Sequence, residues 1–159
     1  DGGKNFYQKQ PEETFPICDF GYIDTANKTE VRGEGGKSGV FYMALGDAGL
    51  YKFCYDTGTD EIHVKRLTDA KDACYRMGLG VIGEGREYLT EEKAIYFCGR
   101  LDGEYGFYRT LDEGKSYERL NRENQMYGEI NSIDGDKRKF GRFFLATGSR
   151  GVLYGEMLK

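Results

Sequence analysis

Three segments of this chain repeat one pattern, and the repeat limits the fold more than any other feature. Each segment is an apolar strand, a glycine-bearing turn and a second short strand ending in an aromatic residue: 39–51, 94–108 and 141–154. Glycine supplies the positive φ that tight turns need, so each segment reads as a hairpin. A second element follows the first two hairpins. Thr110-Leu-Asp-Glu-Gly-Lys-Ser-Tyr117 has the form Ser/Thr-x-Asp-x-Gly-x-Ser/Thr-aromatic, Asp1-Gly-Gly-Lys-Asn-Phe6 is the same element without its first two residues, and Tyr55-Asp-Thr-Gly-Thr-Asp60 is a degenerate copy. The aspartates stand at 1, 56 and 112, so the spacing is 55 and then 56.

This element reads as an Asp-box, a turn between the third and fourth strands of some propeller blades. Its physics is local: the carboxylate accepts hydrogen bonds from turn amides, the glycine takes a conformation other residues resist, and the aromatic plugs the blade. Asp1, Gly3, Asp56, Gly58, Asp112, Gly114 and Tyr117 are therefore expected to be structural and not catalytic. A period near 55 with four short strands per unit predicts an all-β, partial β-propeller of sialidase-like, four-stranded antiparallel blades. The phase makes 6–9 a fourth strand, 17–23 the next first strand, 39–53 a hairpin and 62–67 a fourth strand. The next blade runs over 73–120, and 129–133 with 141–155 opens another. Residues 1–159 are thus expected to form one propeller fragment of about three blades, with blade ends near 10, 67 and 120 and the last blade incomplete. A closed propeller needs about four to eight blades, so the remainder is expected from the same or another chain.

Composition agrees with strands and turns. Glycine provides 24 of 159 residues, about twice the roughly 7% of average proteins. The net charge is −4 with signs interspersed, which leaves no basic footprint for nucleic acid. No run of 18 apolar residues occurs, so no membrane span is expected. The chain opens on Asp1, which points to processing or truncation of a longer protein. Cys18, Cys54, Cys74 and Cys98 permit two disulfides or four free thiols, and we expect free, mostly buried thiols. No CxxC pair occurs and His63 is the one histidine, so neither metal nor cofactor is expected. The run Gly78-Leu-Gly-Val-Ile-Gly83 resembles a phosphate loop only superficially, because no helix and no Lys-Ser/Thr follow it.

Several stretches resemble glycoside hydrolase family 74, the xyloglucanases. Residues 105–121 (Tyr-Gly-Phe-Tyr-Arg-Thr-Leu-Asp-Glu-Gly-Lys-Ser-Tyr-Glu-Arg-Leu-Asn) resemble the last full blade of that family. Tyr127-Gly-Glu-Ile-Asn-Ser-Ile-Asp-Gly-Asp136 and 141–155 resemble its C-terminal end, and Gly46-Asp-Ala-Gly-Leu-Tyr51 an earlier hairpin. The resemblance implies two seven-bladed propellers facing each other across a cleft that holds a β-1,4-glucan backbone. It also implies inverting hydrolysis by two aspartates, one from each propeller. Both aspartates are implied to lie upstream, so the catalytic residues are not assigned here. The chain would form cleft wall in the C-terminal part of the second propeller, inactive on its own. A secreted, extracellular enzyme acting on xyloglucan or β-glucan is the reading; a non-enzymatic, sortilin-like propeller module that binds glycan or protein is the alternative.

In such hydrolases the active site lies on the face away from the Asp-boxes. Loops joining strands two to three and four to one occupy that face, and here they carry Asp47, Tyr75, Arg76, Arg100, Asp102, Tyr105, Gln125, Tyr127 and Arg150. Aromatic platforms ringed by hydrogen-bonding groups suit carbohydrate. Tyr75, Arg100, Tyr105, Tyr127 and Arg150 are accordingly the expected substrate-binding residues. The sequence has no Trp, so sugar stacking would fall to tyrosine. Asn27-Lys-Thr29 is a glycosylation sequon, and 33–37 reads as a glycine-rich loop.

Overall fold

The computed structural model describes residues 38–56, 58–88 and 92–157. Asp1, Gly3, the strands expected at 6–9 and 17–23, Cys18, the 27–29 sequon and the 33–37 loop lie outside the described residues. The regular elements described are ten strands: β1 (Ser38–Ala44), β2 (Leu50–Asp56), β3 (Glu61–Arg66), β4 (Ala73–Gly80), β5 (Ala94–Leu101), β6 (Glu104–Thr110), β7 (Glu118–Arg119), β8 (Ile130–Gly135), β9 (Arg142–Thr147) and β10 (Val152–Glu156). They form three antiparallel meanders in chain order: β1-β2-β3, β4-β5-β6-β7 and β8-β9-β10.

The turns follow from the residues at them. The first and third hairpins close with the same five-residue turn. Leu45 N donates to the Gly49 carbonyl at 2.8 Å, and Thr147 N to the Gly151 carbonyl at 3.0 Å. Gly49 and Gly151 take φ of +96° and +72°, which L side chains resist. The middle hairpin turns in two residues, Asp102 and Gly103, both left-handed. After β6, Asp112 Oδ1 accepts from Ser116 N (2.9 Å) and Thr110 Oγ1 (2.9 Å), while Asp112 Oδ2 accepts from Ser116 Oγ (2.6 Å). Gly114 N donates to Thr110 Oγ1 at 2.9 Å. At the end of β2, Gly58 N donates to Asp56 Oδ1 at 2.7 Å, a reduced form of the same arrangement.

Side chains alternate across each strand, so each sheet has two faces. One face of the first sheet and the facing side of the second bury Tyr42, Ala44, Leu50 and Leu67 against Met77, Leu79, Ile95, Phe97 and Tyr108. The opposite face of the second sheet buries Ala94, Tyr96, Cys98 and Phe107 against Ile130, Ile133, Phe143 and Leu145 of the third. The hydrophobic effect thus stacks the sheets in sequence order. Between the second and third sheets the first strands nearly touch. A Cβ at Gly78 would lie 2.3 Å from the Ile133 carbonyl oxygen and 2.5 Å from Asp134 Cα. The run that imitates a phosphate loop is therefore a packing device: Gly78 lets β4 approach β8.

One hydrogen-bond pair recurs. Leu50 N donates to Thr68 Oγ1 (3.1 Å) and its carbonyl accepts from Leu67 N (2.8 Å). Phe107 N donates to Asn121 Oδ1 (2.8 Å) and its carbonyl accepts from Leu120 N (2.7 Å). In both blades the second residue after the last strand caps a backbone amide of the strand before it.

Candidate functional site

The turns at 45–49, 102–103 and 148–151 and the links at 67–72 and 121–129 share one side of the sheets. Backbone bonds hold them there: Gly46 and Cys74 exchange two N–H···O bonds of 2.8 Å, and Gly148 N donates to the Glu129 carbonyl at 3.0 Å. Asp102 N donates to Asp72 Oδ1 at 2.8 Å, and Asp69 N to Asp72 Oδ2 at 3.2 Å. The turn at 110–117 lies at the other end of β6.

On the loop side the rings form a row. Tyr75 and Tyr105 have centroids 6.4 Å apart, Tyr105 and Phe107 are edge-on at 6.4 Å, and Phe107 and Tyr127 are parallel at 6.4 Å. Tyr75, Tyr105 and Tyr127 are half-buried and pack on the core between the second and third sheets. Phe107, at the centre of the row, is buried. The structure thus brings the three candidate tyrosines into one line. Tyr127 takes a left-handed φ of 54° and Gly128 one of 76°, which swings the link into β8.

Polar groups flank the row. The Tyr75 hydroxyl donates to Asp47 Oδ1 at 3.3 Å. Burial raises the Tyr75 phenol pKa, the Asp47 charge adds to this, and Arg100 opposes it. Arg100 is exposed and faces Tyr105 across the β5–β6 ladder. The Tyr105 phenol is pushed up to about 12, first by burial and then by the Cys98 sulfur that it hydrogen-bonds. Arg76 Nε reaches the Asn131 carbonyl at 3.2 Å and spans the two blades. Arg150 stands exposed on the β9–β10 turn, where its backbone N–H donates to Thr147 Oγ1 at 2.9 Å. It belongs to a separate hairpin from the Tyr75–Tyr105 end of the row.

Buried polar residues on this side, Asp72 and Asn121 among them, escaped the sequence reading. Asp72 accepts the two backbone amides just described, and Asn121 caps Phe107 N while its Nδ2 donates to the carbonyls of Arg122 (3.2 Å) and Gln125 (3.4 Å). The signal for Asn121 was the alignment of Arg66-Leu-Thr68 with Arg119-Leu-Asn121, which places Thr and Asn at one position. Both residues hold loops in place.

A general acid for glycoside cleavage needs a raised carboxyl pKa. The carboxylates with displaced values, Asp112, Asp136 and Glu156, are all displaced downward. Asp112 falls to about 2 because Ser116 donates from its hydroxyl and its amide. No group of three His, Cys, Asp or Glu able to hold a metal occurs among the described residues. Cys54, Cys74 and Cys98 are free thiols. Burial pushes Cys98 up to about 11, so it is a packing thiol and not a nucleophile.

These sheets and their order define an all-β partial propeller with antiparallel blades. No protein-family model matches the sequence. Individual relatives do match it. The chain is 30% identical over 163 aligned positions to xyloglucanase Xgh74A of Acetivibrio thermocellus, covering 97% of the chain and 18% of that protein. It is 30% identical over 126 positions to a probable oligoxyloglucan-reducing end-specific xyloglucanase of Neosartorya fischeri, covering 77% of the chain and 14% of that protein. Among solved structures it resembles the GH74 xyloglucanase of Xanthomonas campestris, with a TM-score of 0.60 and 27% identity over 80% of the chain and 16% of that structure. The Niastella koreensis GH74 enzyme gives a TM-score of 0.61 and 26% identity over 81% of the chain and 18% of that structure. The chain is thus similar along most of its length to glycoside hydrolase family 74 xyloglucanases, and it spans less than a fifth of the length of these relatives.

Proposed function

We propose that this chain is part of a secreted, extracellular glycoside hydrolase that cleaves the β-1,4-glucan backbone of xyloglucan with inversion. In this reading it is the C-terminal part of a propeller and forms cleft wall without the catalytic pair. The supporting observation is the ring row Tyr75–Tyr105–Phe107–Tyr127 in a chain that aligns along nearly its whole length with xyloglucanases. That alignment supports the enzyme over a non-enzymatic binding module. Tyr75, Tyr105 and Tyr127 offer half-buried rings on which sugar stacks, with Arg100 and Arg150 as donors to hydroxyls. The turns at Asp56 and Asp112 are Asp-boxes with a structural role, and the carboxylate bonding around Asp112 supports that reading.

The remainder of a propeller is the partner this reading requires. Tyr42 and Leu50 of the first sheet, and Tyr96 and Phe107 of the second, are covered by the next sheet. Their counterparts Phe144 and Val152 are 37% and 72% exposed, and Tyr154 beside them is 69% exposed, an apolar face that suits a further blade.

The test uses the full-length protein that contains this chain. Tyr105→Ala and Tyr127→Ala each remove one stacking face, on the order of 1 kcal/mol, and should weaken binding of a long xyloglucan oligosaccharide about five- to tenfold. The 159-residue chain alone should release no reducing sugar from xyloglucan. Release by the chain alone, or unchanged affinity per folded molecule in both variants, would overturn the assignment.

A further inference from the structure

The first strands of the second and third sheets, β4 and β8, carry the same irregularity. Cys74 pairs with Gly99 and Arg76 with Cys98, so Tyr75 is an extra residue in β4. Ile130 pairs with Thr147 and Ser132 with Ala146, so Asn131 is the extra residue of β8. Tyr75 and Asn131 stand 56 residues apart, the spacing of Asp56 and Asp112. A bulge of this kind interrupts the alternation of side chains along a strand. Cys74 and Met77 accordingly share one core although they are three positions apart, and Ile130 and Ile133 share the next. The extra residue turns Tyr75 and Arg76 together towards the third sheet. The Tyr75 ring packs on the core between the second and third sheets, and Arg76 reaches the backbone of β8.

A bulged residue loses its place in the ladder, and its carbonyl must bond elsewhere. Arg76 serves both bulges. Its Nη1 donates to the Tyr75 carbonyl at 2.8 Å and its Nε to the Asn131 carbonyl at 3.2 Å. The guanidinium is a planar fork, so one side chain fixes the two bulges relative to each other. From the opposite direction Gly46 and Cys74 exchange two N–H···O bonds of 2.8 Å, which pins the β1–β2 turn against the residue before the bulge. Tyr75 is therefore held from both neighbouring sheets. Its hydroxyl donates to Asp47 Oδ1 on that turn at 3.3 Å. A phenol has one proton to give, so the Tyr75 oxygen turns its lone pairs to a second partner, and the exposed Asp47 keeps Oδ2 as a further acceptor.

We propose that Asp47 and Tyr75 form one acceptor pair for adjacent hydroxyls of a sugar ring, and that Arg76 is the positioning residue that aims Tyr75 into it. Adjacent hydroxyls of a pyranose are donors set side by side, which two neighbouring acceptor oxygens match. The pair takes one residue from each of two blades, and backbone bonds on both sides fix its geometry before any ligand arrives. Preorganisation of this kind lowers the ordering cost of binding. The inference rests on the glycan reading above and extends it to the chemical groups recognised.

The experiment measures binding of a long xyloglucan oligosaccharide to the full-length protein by titration calorimetry, per folded molecule. Asp47→Ala should weaken binding about tenfold, the scale of one hydrogen bond to a charged acceptor. Arg76→Met keeps the stem and removes both donors; it should weaken binding about fivefold, because Tyr75 is no longer preorganised. In a Tyr75→Ala background Arg76→Met should change affinity less than about twofold, since a positioning residue acts only through what it positions. Arg76→Lys, which can still donate to a carbonyl, should fall between Arg76→Met and the unaltered protein. Three results overturn the proposal: an Asp47→Ala protein that binds as the unaltered one does, an Arg76→Met effect equal with and without Tyr75, or an Arg76→Met protein that loses stability and keeps its affinity. If Tyr105→Ala and Tyr127→Ala weaken binding while Asp47→Ala and Arg76→Met do not, this assignment falls and the xyloglucan reading stands; if all four bind as before, both fall.

Discussion

Gly78→Ala probes how closely the blades are stacked. The added Cβ would meet the Ile133 carbonyl oxygen at 2.3 Å and Asp134 Cα and Oδ1 at 2.5 Å. Ordinary contacts to carbon begin near 3.4 Å, so β8 must retreat by roughly 1 Å. No rotamer change can relieve the contact, because two of the three atoms are backbone. Asp134 is also tied down, since its Oδ1 accepts from Leu79 N at 3.1 Å. A retreat of that size loosens the packing of Ile133 and Met77, both fully buried, and forfeits a quarter to a half of each dispersion contact by the ~1 Å criterion. Overpacking of this kind costs about 1–3 kcal/mol and sometimes more. Alanine restores up to ~1 kcal/mol by restricting the unfolded chain, because Gly78 is in ordinary extended backbone. The net expectation is a loss of about 2 kcal/mol, or about 1 M in urea midpoint at a slope near 2 kcal/mol/M. Gly103→Ala is the control: φ is +84° with nothing within 4 Å, so only backbone strain of about 1 kcal/mol opposes it. Equilibrium urea unfolding followed by circular dichroism reads both variants. If Gly78→Ala shifts the midpoint no more than Gly103→Ala, the blades are not in the contact described and the argument for the glycine run fails.

Three further outcomes are expected. Asn121→Ala and Thr68→Val each orphan a buried backbone N–H, so each should cost about 1–3 kcal/mol in urea unfolding. The double variant should be additive within about 0.5 kcal/mol, because the two caps serve different blades; a cost near zero for either would show that its N–H finds water. Asp112 has a depressed pKa of about 2 against an ordinary 3.8, so its contribution to stability is complete above the ordinary value. It is lost as pH falls through about 2, and Asp112→Asn should flatten that acid limb in a pH-dependent unfolding series; an unchanged limb would refute the bonding described. Tyr105 is raised to about 12 from 10.0, so its neutral form stabilises the fold below pH 10, and that contribution is lost as pH rises through 12. Ultraviolet difference titration should show one fewer late-ionising phenol in Tyr105→Phe.

Much of the strand pattern was legible in the sequence because its causes are local. The hairpins at 39–53, 94–108 and 141–155 announce themselves by short apolar runs and by glycines where the backbone turns left-handed, as at Gly49 and Gly151. The bonding around Asp112 was legible for the same reason: every partner lies within four residues. The loop-side tyrosines could be assigned to one end of the sheets because alternate connections of an antiparallel meander fall at the same end.

Tertiary structure decided what depends on a neighbour. Leu50, Phe107 and Val152 hold one position in the repeat, yet they are 0%, 1% and 72% exposed, because burial is set by whether another sheet lies against that face. The ring row through Phe107, the capping roles of Thr68 and Asn121, and the closeness of Gly78 to Ile133 join residues far apart in sequence. Local periodicity carries no information on such pairs. The cleft beside Leu120 is the clearest case: residues from two blades bound it, and only their packing brings them together.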